Sequence, residues 1–332
     1  MKITEVYSPV VIVTLNRSEH LKRCIESLKK NTGAENTEIF IAVDYPPSSK
    51  YREGYNEVCR YLSQPIEGFK KVNIIYRNCN FGPIVNLFDV CDKVLEKFDR
   101  IIILEDDNEL APCFLNFCNT GLEIYKDDES IIGLNASNYV WCGKGMKSQK
   151  SYVQGIKKRQ LLFHAFATWK KDYKEVFNWC ISKEILNLSK NPKMMIKLRL
   201  KSRCFFYSFV ENVLDSKTKL PWINDRIYPI DQVWDYYMMF YDKYMICPQI
   251  SLTRDWGCDG SGANYTEEFE NKEQVISVTL DKNKYFTGFD RKNVSVDRYE
   301  VYLHGIHTYN RPKSLWHAWK ACLLRLVLRK SI

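Results

Sequence analysis

The sequence has 332 residues, which is enough for one large domain or two smaller ones with a buried core. Hydrophobic residues make up 45% and charged residues 27%, a balance that excludes disordered and fibrous proteins. Lysine and arginine number 49 against 40 for aspartate and glutamate, so the formal charge is +9. The basic residues form no long unbroken run, and we therefore expect no nucleic-acid partner.

The cysteines and the apolar segments bear on the cellular compartment. The 12 cysteines form no C-x-x-C pair and show no repeating spacing, so we expect reduced thiols and not a disulfide framework. The first residues read as the approach to a strand and lack a signal-peptide pattern. No window approaches the ~18 apolar residues of a membrane span. These features predict a cytoplasmic protein.

Apolar runs and helical patterns alternate through the first part of the chain. Short β-branched and apolar runs predict five strands, at residues 9–15, Glu38–Val43, 72–76, 101–104 and 131–136. A helical spacing follows the first run, with Ser18 as its N-cap, and a second helix is predicted at residues 83–98. This alternation favours an α/β fold with a mostly parallel sheet that is flanked by helices.

The second part of the chain is rich in aromatic residues and has a weaker periodicity. We predict a helical stretch near residues 183–213, a buried helix at 231–241 and a strand at 245–252. A loop of small residues follows at 257–263. No repeat or low-complexity linker separates the two parts, so we expect them to form one compact unit.

The C-terminal residues 314–330 mix leucine and tryptophan with lysine and arginine. A basic helix of this composition can lie in a membrane interface. Its apolar residues fall on more than one face, and a helix that docks on the protein explains them as well. Both interpretations stay open from the sequence.

Glu105, Asp106 and Asp107 directly follow the fourth predicted strand. Ligands of open α/β sheets bind outside the carboxyl ends of the strands, so this position is a candidate site. Adjacent carboxylates repel one another unless a positive charge lies beside them, and hard oxygen ligands suit Mg²⁺ or Mn²⁺. A metal that also holds a diphosphate would stabilise a leaving group. The alternative is a solvated acidic turn or an acidic helix start.

Asp44 stands at the equivalent point after the second predicted strand. An acid at this point can accept hydrogen bonds from a base or a ribose. An isolated aspartate before Tyr45 and two prolines is also a common turn-former. The sequence leaves both interpretations open.

Four segments in order resemble the GT-A glycosyltransferases that carry an acidic EDD form of the DxD motif. They are TLNRSEHLKRCIESL, IIILEDDNELAPCFLNFCNTGLEIYKDDESIIGLNA, FATWKKDYKEVF and DQVWDYYMMFYDKYMICPQISLTRDWGCDG. The sequence is similar to the N-acetylglucosaminyltransferase that initiates hybrid and complex N-glycans. It also resembles bacterial sugar transferases of surface polysaccharide synthesis. The resemblance covers residues 8–262 and implies a Rossmann-like GT-A domain.

The resemblance implies a metal and a donor sugar at the acidic segment. Asp107 would be the direct ligand of Mn²⁺ or Mg²⁺. Asp106 would contact the ribose or the sugar, and Glu105 the donor sugar.

Residues after the first three strands would complete the donor site. By the same resemblance, Asp44 would face the nucleobase, and Thr14 and Arg17 would lie near the nucleotide. Asn80 and Gly82 would approach the diphosphate or the sugar, because glycine lets the backbone come close.

Asp231 would be the general base that deprotonates the acceptor hydroxyl in an inverting displacement, a role that requires hydrogen-bond reach. The alternatives are that Asp231 caps the following helix, or that the nearby Asp235 is the base.

The loop after the last predicted strand would close over the donor and exclude water, through Gly257, Asp259 and Gly260. A plain surface loop is the other interpretation. His304 and His307 are candidates for a late metal ligand, although two histidines at this spacing near a terminus are commonly incidental.

The resemblance also implies how the chain is divided. Residues 1–136 would form the nucleotide-sugar-binding half, residues 137–312 the acceptor-binding and catalytic-base half, and residues 313–332 a basic amphipathic helix. The sequence departs from the bacterial pattern near the acceptor side, where FHAFATW lacks a Gly-Trp pair and GSGANY lacks a Thr-His pair.

The function implied is transfer of a sugar from a nucleotide diphosphate, with uridine diphosphate as the common donor, to a glycan or lipid-linked hydroxyl. One alternative enzyme is a sugar-nucleotide pyrophosphorylase, whose Gly-rich first turn is missing between Thr14 and Arg17. A third interpretation is a non-catalytic scaffold that binds nucleotide or membrane. If the C-terminal helix lies in a membrane interface, it would bring this cytoplasmic protein to the inner face of the membrane.

Overall fold

The computed structural model describes residues 6–137, 156–158, 165–182, 184–189, 191–201, 206, 209, 230–248, 250–261 and 280–289. The described strands are β1 (Val10–Thr14), β2 (Glu38–Val43), β3 (Lys71–Tyr76), β4 (Arg100–Glu105), β5 (Asn108–Leu110), β6 (Ile131–Asn135), β7 (Ile156–Lys158), β8 (Ala165–Trp169), β9 (Tyr244–Cys247) and β10 (Thr253–Asp255). The described helices are α1 (Ser18–Lys29), α2 (Arg52–Leu62), α3 (Pro83–Lys97), α4 (Phe114–Tyr125), α5 (Lys170–Ile181), α6 (Glu184–Ser189), α7 (Pro192–Lys201) and α8 (Ile230–Tyr241).

Eight of these strands form one sheet in the order β3-β2-β1-β4-β8-β6-β9-β7. The pairs β1–β2, β2–β3, β1–β4 and β6–β9 are parallel. Strands β7 and β8 run against their neighbours. The predicted α/β fold with a mostly parallel, helix-flanked sheet is confirmed, and both parts of the chain contribute strands to it.

Strand β4 lies in the interior of the sheet and is buried along almost its whole length. Its side chains alternate between the two faces, as the period of a strand requires. Ile101 and Ile103 pack in the core on one face, and Ile102 and Leu104 in the core on the other. Because β4 is packed into the cores on both faces, its position and that of its carboxyl end are fixed by close packing.

Helices cover both faces of the sheet. Core residues of α3, α5, α7 and α8 pack on one face, and those of α1, α2 and α4 on the other. The segment at residues 280–289 also lies on the second face, where Phe286 and Phe289 pack against Phe117. Among the described helices, none is both long enough and apolar enough to cross a membrane.

The predicted elements of the first part agree with the structure within one or two residues, with one local correction. Ser18 is not the N-cap of α1: Arg17 takes that position, and its carbonyl accepts a hydrogen bond from the Leu21 amide at 3.0 Å. The Ser18 hydroxyl instead donates to Glu57 on α2 at 3.2 Å. The start of α1 is therefore bonded to a neighbouring helix and has no side-chain cap.

Several elements were not predicted. Helix α2 buries only Val58 and Leu62, so its apolar stripe is too narrow to stand out in the sequence. Strand β8 lies between β4 and β6 and runs antiparallel to both. The strand predicted at residues 245–252 ends at Cys247, before Pro248, which has no amide hydrogen for the ladder.

Three further helices were predicted in the second part of the chain. The helix predicted at 231–241 is confirmed as α8, and the helical stretch at 183–213 contains α6 and α7. The C-terminal helix predicted at 314–330 lies outside the described residues.

Gly133 on β6 lets neighbouring strands approach closely. A Cβ atom at this position would lie 2.5 Å from the carbonyl oxygen of Ala167 and 2.6 Å from the Met245 methyl. We expect Gly133→Ala to lower the free energy of unfolding by about 1–3 kcal/mol, the usual range for overpacking. Urea denaturation measures this, with the exposed Glu96→Ala on α3 as a control within about 0.5 kcal/mol of the native protein. Native stability of Gly133→Ala would contradict the described packing of β6 against β8 and β9.

Candidate functional site

The acidic segment lies at the carboxyl end of β4, as predicted. Asp106 and Asp107 form the turn between β4 and β5, and both side chains are buried. Strand β1 runs parallel to β4, with Val13 paired to Glu105, so the next residue of β1 comes beside this turn. That residue, Thr14, donates a hydrogen bond from Oγ1 to Asp106 Oδ2 at 2.7 Å.

The positive charge beside this pair belongs to Arg17. Its Nη2 pairs with Asp106 Oδ1, and its Nη1 lies 2.9 Å from Asp107 Oδ2. The sequence interpretation assigned the neutralising charge to a divalent cation, whereas the structure shows a guanidinium in contact with both carboxylates. Arg17 can reach them because it ends the β1–α1 turn at the same edge of the sheet.

Burial shifts the pKa of both partners in this group. Burial raises the pKa of the Asp106 carboxyl, although Arg17 opposes the shift. Burial alone would lower the pKa of Arg17, but the charges of Asp106 and Asp107 outweigh it and raise that pKa. The charges of Arg17 and Asp106 therefore stabilise each other, because a single buried charge without its partner would be costly.

Asp44 forms the second polar group of this edge, at the carboxyl end of β2. Its Oδ1 accepts hydrogen bonds from the amides of Tyr45 and Phe81 at 2.9 and 2.8 Å. Its Oδ2 accepts from Asn80 Nδ2 at 3.1 Å and from the Gly82 amide at 2.8 Å. The predicted donor residues Asp44, Asn80 and Gly82 are therefore brought together, with the carboxylate acting as the anchor of the turn.

Arg77 lies at the same edge of the sheet, and no role was predicted for it from the sequence. It follows β3 directly and is buried, with its Nε donating to Asn86 Oδ1 at 2.8 Å and its Nη1 lying 2.5 Å from Asp89 Oδ2. Its guanidinium also lies 4.7 Å from the centre of the Phe81 ring. Arg77 thereby joins the start of α3 to the turn that Asp44 anchors. The only sequence signal was an arginine at a strand end.

A short antiparallel ribbon of β5 and β10 carries the later loop to the acidic turn. The Trp256 amide donates to the Asp107 carbonyl at 2.9 Å, and its Nε1 donates to Glu109 Oε2 at 2.9 Å. The Arg23 guanidinium lies 4.3 Å from the Trp256 ring centre. Trp256 therefore fixes the loop against both α1 and the acidic turn.

The loop residues predicted to lie over the donor follow Trp256. Gly257 touches Asp107: a Cβ atom on Gly257 would lie 2.2 Å from Asp107 Oδ2, so only glycine fits. Asp259 lies 3.2 Å from His20 Nε2, and Gly260 has a φ of 87°, a left-handed conformation that suits glycine. The structure thus brings the predicted loop to the predicted metal ligand.

Asp107 and Asp255 are the carboxylates nearest to Gly257. The Gly257 Cβ position lies 2.2 Å from Asp107 Oδ2 and 3.1 Å from Asp255 Oδ1, and Asp255 Oδ1 accepts the Gly257 amide at 2.7 Å. Among the described residues, no group of three or more His, Cys, Asp or Glu side chains could hold a metal ion. Mg²⁺-type ions commonly use one or two carboxylates together with substrate phosphates, and Asp107 fits that kind of donor set.

Among the remaining predicted site residues, the structure describes the surroundings of Glu105, but not the other side chains. Glu105 is partly buried at the end of β4, and its carbonyl accepts a hydrogen bond from Asn108 Nδ2 at 3.3 Å. Asp231 is the second residue of α8, but its side chain lies outside the described residues. His304 and His307 also lie outside them.

The turn at Asn80–Gly82 depends on the Asp44 carboxylate. Asp44→Asn replaces one acceptor oxygen by an amide group that faces backbone N–H donors. We expect a loss of about 1–3 kcal/mol of unfolding free energy, the cost of unsatisfied buried donors. Urea denaturation measures this loss of stability. The matched control is Asp127→Asn, because Asp127 is an exposed aspartate just after α4. Equal stability of the two variants would show that Asp44 does not anchor the turn.

Residues 10–164 match the family model described as Glycosyl transferase family 2. The match covers slightly less than half of the chain and contains β1 to β7, with the acidic turn. No curated protein matches the sequence significantly.

Solved structures that resemble part of this chain include S. aureus TarS and a mannosyltransferase. S. aureus TarS has 13% identity and a TM-score of 0.31 over 46% of this chain and 25% of its own. TarS 1-349 in complex with UDP-GlcNAc has 14% identity and a TM-score of 0.31, over 45% and 39% of the two chains. The mannosyltransferase PcManGT from Pyrobaculum calidifontis, in complex with GDP-Man and Mn²⁺, has 9% identity and a TM-score of 0.36, over 51% and 46%.

This chain therefore spans less than half of the length of each of these structures. The fold is the Rossmann-like GT-A type, with a mostly parallel sheet between helices. The match to Glycosyl transferase family 2 over residues 10–164 supports a nucleotide-sugar glycosyltransferase of this fold.

Proposed function

We propose that the protein is a metal-dependent, inverting glycosyltransferase that moves a sugar from a nucleotide diphosphate, with UDP-sugar as the expected donor. The acceptor is a hydroxyl of a glycan or glycolipid in surface polysaccharide or glycoconjugate synthesis. The observation that carries the proposal is the clustering of Thr14, Arg17, Asp106 and Asp107 at the carboxyl end of two parallel strands. This is the edge where open α/β sheets bind their ligands.

The surroundings of this cluster suit a diphosphate. Helix α1 begins at Ser18 with no side-chain cap, so its first amide groups and its dipole offer an anion site. Arg17 adds a guanidinium that can make two parallel hydrogen bonds to phosphate oxygens. The anchored turn at Asn80–Gly82 gives a fixed backbone surface on the neighbouring strand ends for the rest of the nucleotide.

Asp107 is the proposed ligand of Mn²⁺ or Mg²⁺. Such an ion supplies neutralisation of the diphosphate charge when the bond to the sugar breaks. Asp106 is held by Thr14 and Arg17, so its role is to orient donor groups and the guanidinium. Because Gly257 has no side chain, its loop can lie against Asp107, and that loop would exclude water from the donor.

Asp231 is the proposed general base. Trp234, the fifth residue of α8, packs against Phe166 on β8 with ring centres 5.4 Å apart. Because β8 is antiparallel to β4 and pairs Ala165 with Leu104, its first residues lie at the edge that carries Asp107. This contact supports a position of the start of α8 near that edge, where an acceptor hydroxyl would meet the donor.

We also propose that the basic C-terminal residues bring the chain to the inner face of a membrane, where lipid-linked acceptors are made. This part of the proposal rests on the composition of residues 313–332 alone.

Asp107→Ala tests the donor site. We expect native protein to bind uridine diphosphate in Mn²⁺ and to lose binding in chelator. The variant should bind at least roughly a hundredfold more weakly in Mn²⁺, a change of about 2.8 kcal/mol. Calorimetric titration measures both, with guanosine diphosphate as a second ligand because the solved structures named above hold either GDP-Man or UDP-GlcNAc.

Asp99→Ala is the matched control, because Asp99 is an exposed aspartate before the opposite end of β4. It should bind the nucleotide as the native protein does. If Asp107→Ala and Asp99→Ala bind equally well, the donor site is not at the acidic turn. If native protein binds no nucleoside diphosphate, the scaffold interpretation replaces the enzyme.

Asp231→Asn tests the base. The variant should bind uridine diphosphate and Mn²⁺ as the native protein does, because α8 contributes no donor ligand in the proposal. Turnover should fall about 10²–10⁴-fold, the usual contribution of a general base. The measurement is release of uridine diphosphate from UDP-N-acetylglucosamine and UDP-glucose, with water as the acceptor. Loss of turnover in Asp235→Asn but not in Asp231→Asn would move the role to Asp235.

A further inference from the structure

Arg17 already pairs with the carboxylate that is the proposed ligand of the cation. Its Nη1 lies 2.9 Å from Asp107 Oδ2, and its Nη2 pairs with Asp106. Gly257 also lies close to Asp107 Oδ2, since a Cβ atom on Gly257 would come within 2.2 Å of it. Asp107 Oδ1 has a longer contact, with Asn108 Nδ2 at 3.5 Å.

We infer that Arg17 is a built-in counter-ion that competes with the divalent cation for Asp107, so that the cation binds tightly only after a nucleoside diphosphate has drawn Arg17 away. The inference rests on the proposed function, since it concerns the order in which the same site is filled.

Electrostatics makes the two positive groups exclude each other. A Mg²⁺ ion lies about 2.1 Å from a carboxylate oxygen, so an ion on Asp107 Oδ2 would lie at most about 5 Å from Arg17 Nη1 in its present position. A divalent ion and a guanidinium at that distance repel strongly where the carboxylates are buried. Each positive group therefore weakens the binding of the other to Asp107.

Arg17 is also able to leave. Its side chain keeps 20% of its surface exposed, and within the described residues it pairs with these two carboxylates alone. It stands at the N-cap of α1, whose first amides attract an anion at the same place. A diphosphate bound there offers the guanidinium a bidentate partner within its reach.

Removing Arg17 separates its two effects. Two buried carboxylates without a counter-ion destabilise the metal-free protein, and the same carboxylates become a better cation site. Linkage between two binding sites is reciprocal. The factor by which the nucleotide tightens cation binding is therefore also the factor by which the cation tightens nucleotide binding.

The test is calorimetric titration of Mn²⁺ into native protein and into Arg17→Gln, each with and without saturating uridine diphosphate. For native protein we expect the nucleotide to tighten Mn²⁺ binding by about 5- to 150-fold, the usual range of coupling between sites. For Arg17→Gln, Mn²⁺ alone should bind more tightly than to native protein, and the nucleotide should add less. Asp107→Ala in the Arg17→Gln background should remove the gain.

Thermal unfolding provides a second measurement. In chelator, Arg17→Gln should melt at a lower temperature than native protein, and Mn²⁺ alone should raise its melting temperature more than that of native protein. If Arg17→Gln does not fold, Arg17→Lys, which keeps the charge but loses the two-point contact, should show an intermediate Mn²⁺ affinity.

Two results would overturn the inference. One is the same Mn²⁺ affinity of native protein with and without nucleotide, and the other is an Arg17 variant that folds and binds Mn²⁺ alone no better than native protein. Both differ from failure of the proposed function, in which native protein binds no nucleoside diphosphate under any of these conditions.

Discussion

The contact between Arg17 and the buried pair Asp106 and Asp107 is the interaction on which the edge of the sheet depends. Two aspartates at the end of an interior strand would repel each other, and burial adds to the cost. The guanidinium offsets both effects and ties the β1–α1 turn to β4. Thr14 adds a hydrogen bond from β1 to the same carboxylate. The ends of two adjacent strands and the start of α1 are therefore held as one unit.

Several parallel strands could be predicted because they are apolar on both faces, and α1 and α3 because their apolar stripes are clear. In β4, the run from Ile101 to Leu104 serves both cores, and such a run leaves little freedom of interpretation. Strand β8 has an equally buried sequence, but burial does not encode direction, and its antiparallel place beside β4 follows from the path of the chain. Helix α2 was missed because few of its residues are buried.

The site was predictable where a residue type and a strand end coincide. Asp44, Asp106 and Asp107 meet that condition, and all three lie at the expected edge. Their partners were harder to assign, because a sequence gives residues and not pairs. Arg17 was expected near the nucleotide, yet its contact with the carboxylates depends on where the β1–α1 turn ends. Asp44 was assigned to a base or to a turn, and its hydrogen bonds show that it anchors the turn.

The acidic turn belongs to the first part of the chain, but its surroundings come from the second. Strand β10 pairs with β5 immediately after Asp107, and Trp256 then bonds back to the Asp107 carbonyl. The loop after β10 can therefore reach Asp107 only when β5 is in place, and Gly257 can lie against the carboxylate only because it lacks a side chain. A donor site at this turn would thus be assembled by a contact between residues about 150 positions apart, which ties ligand binding to the folding of both parts. This coupling explains why the second part needs no separate domain: its strands complete the same sheet, and its loop completes the same site.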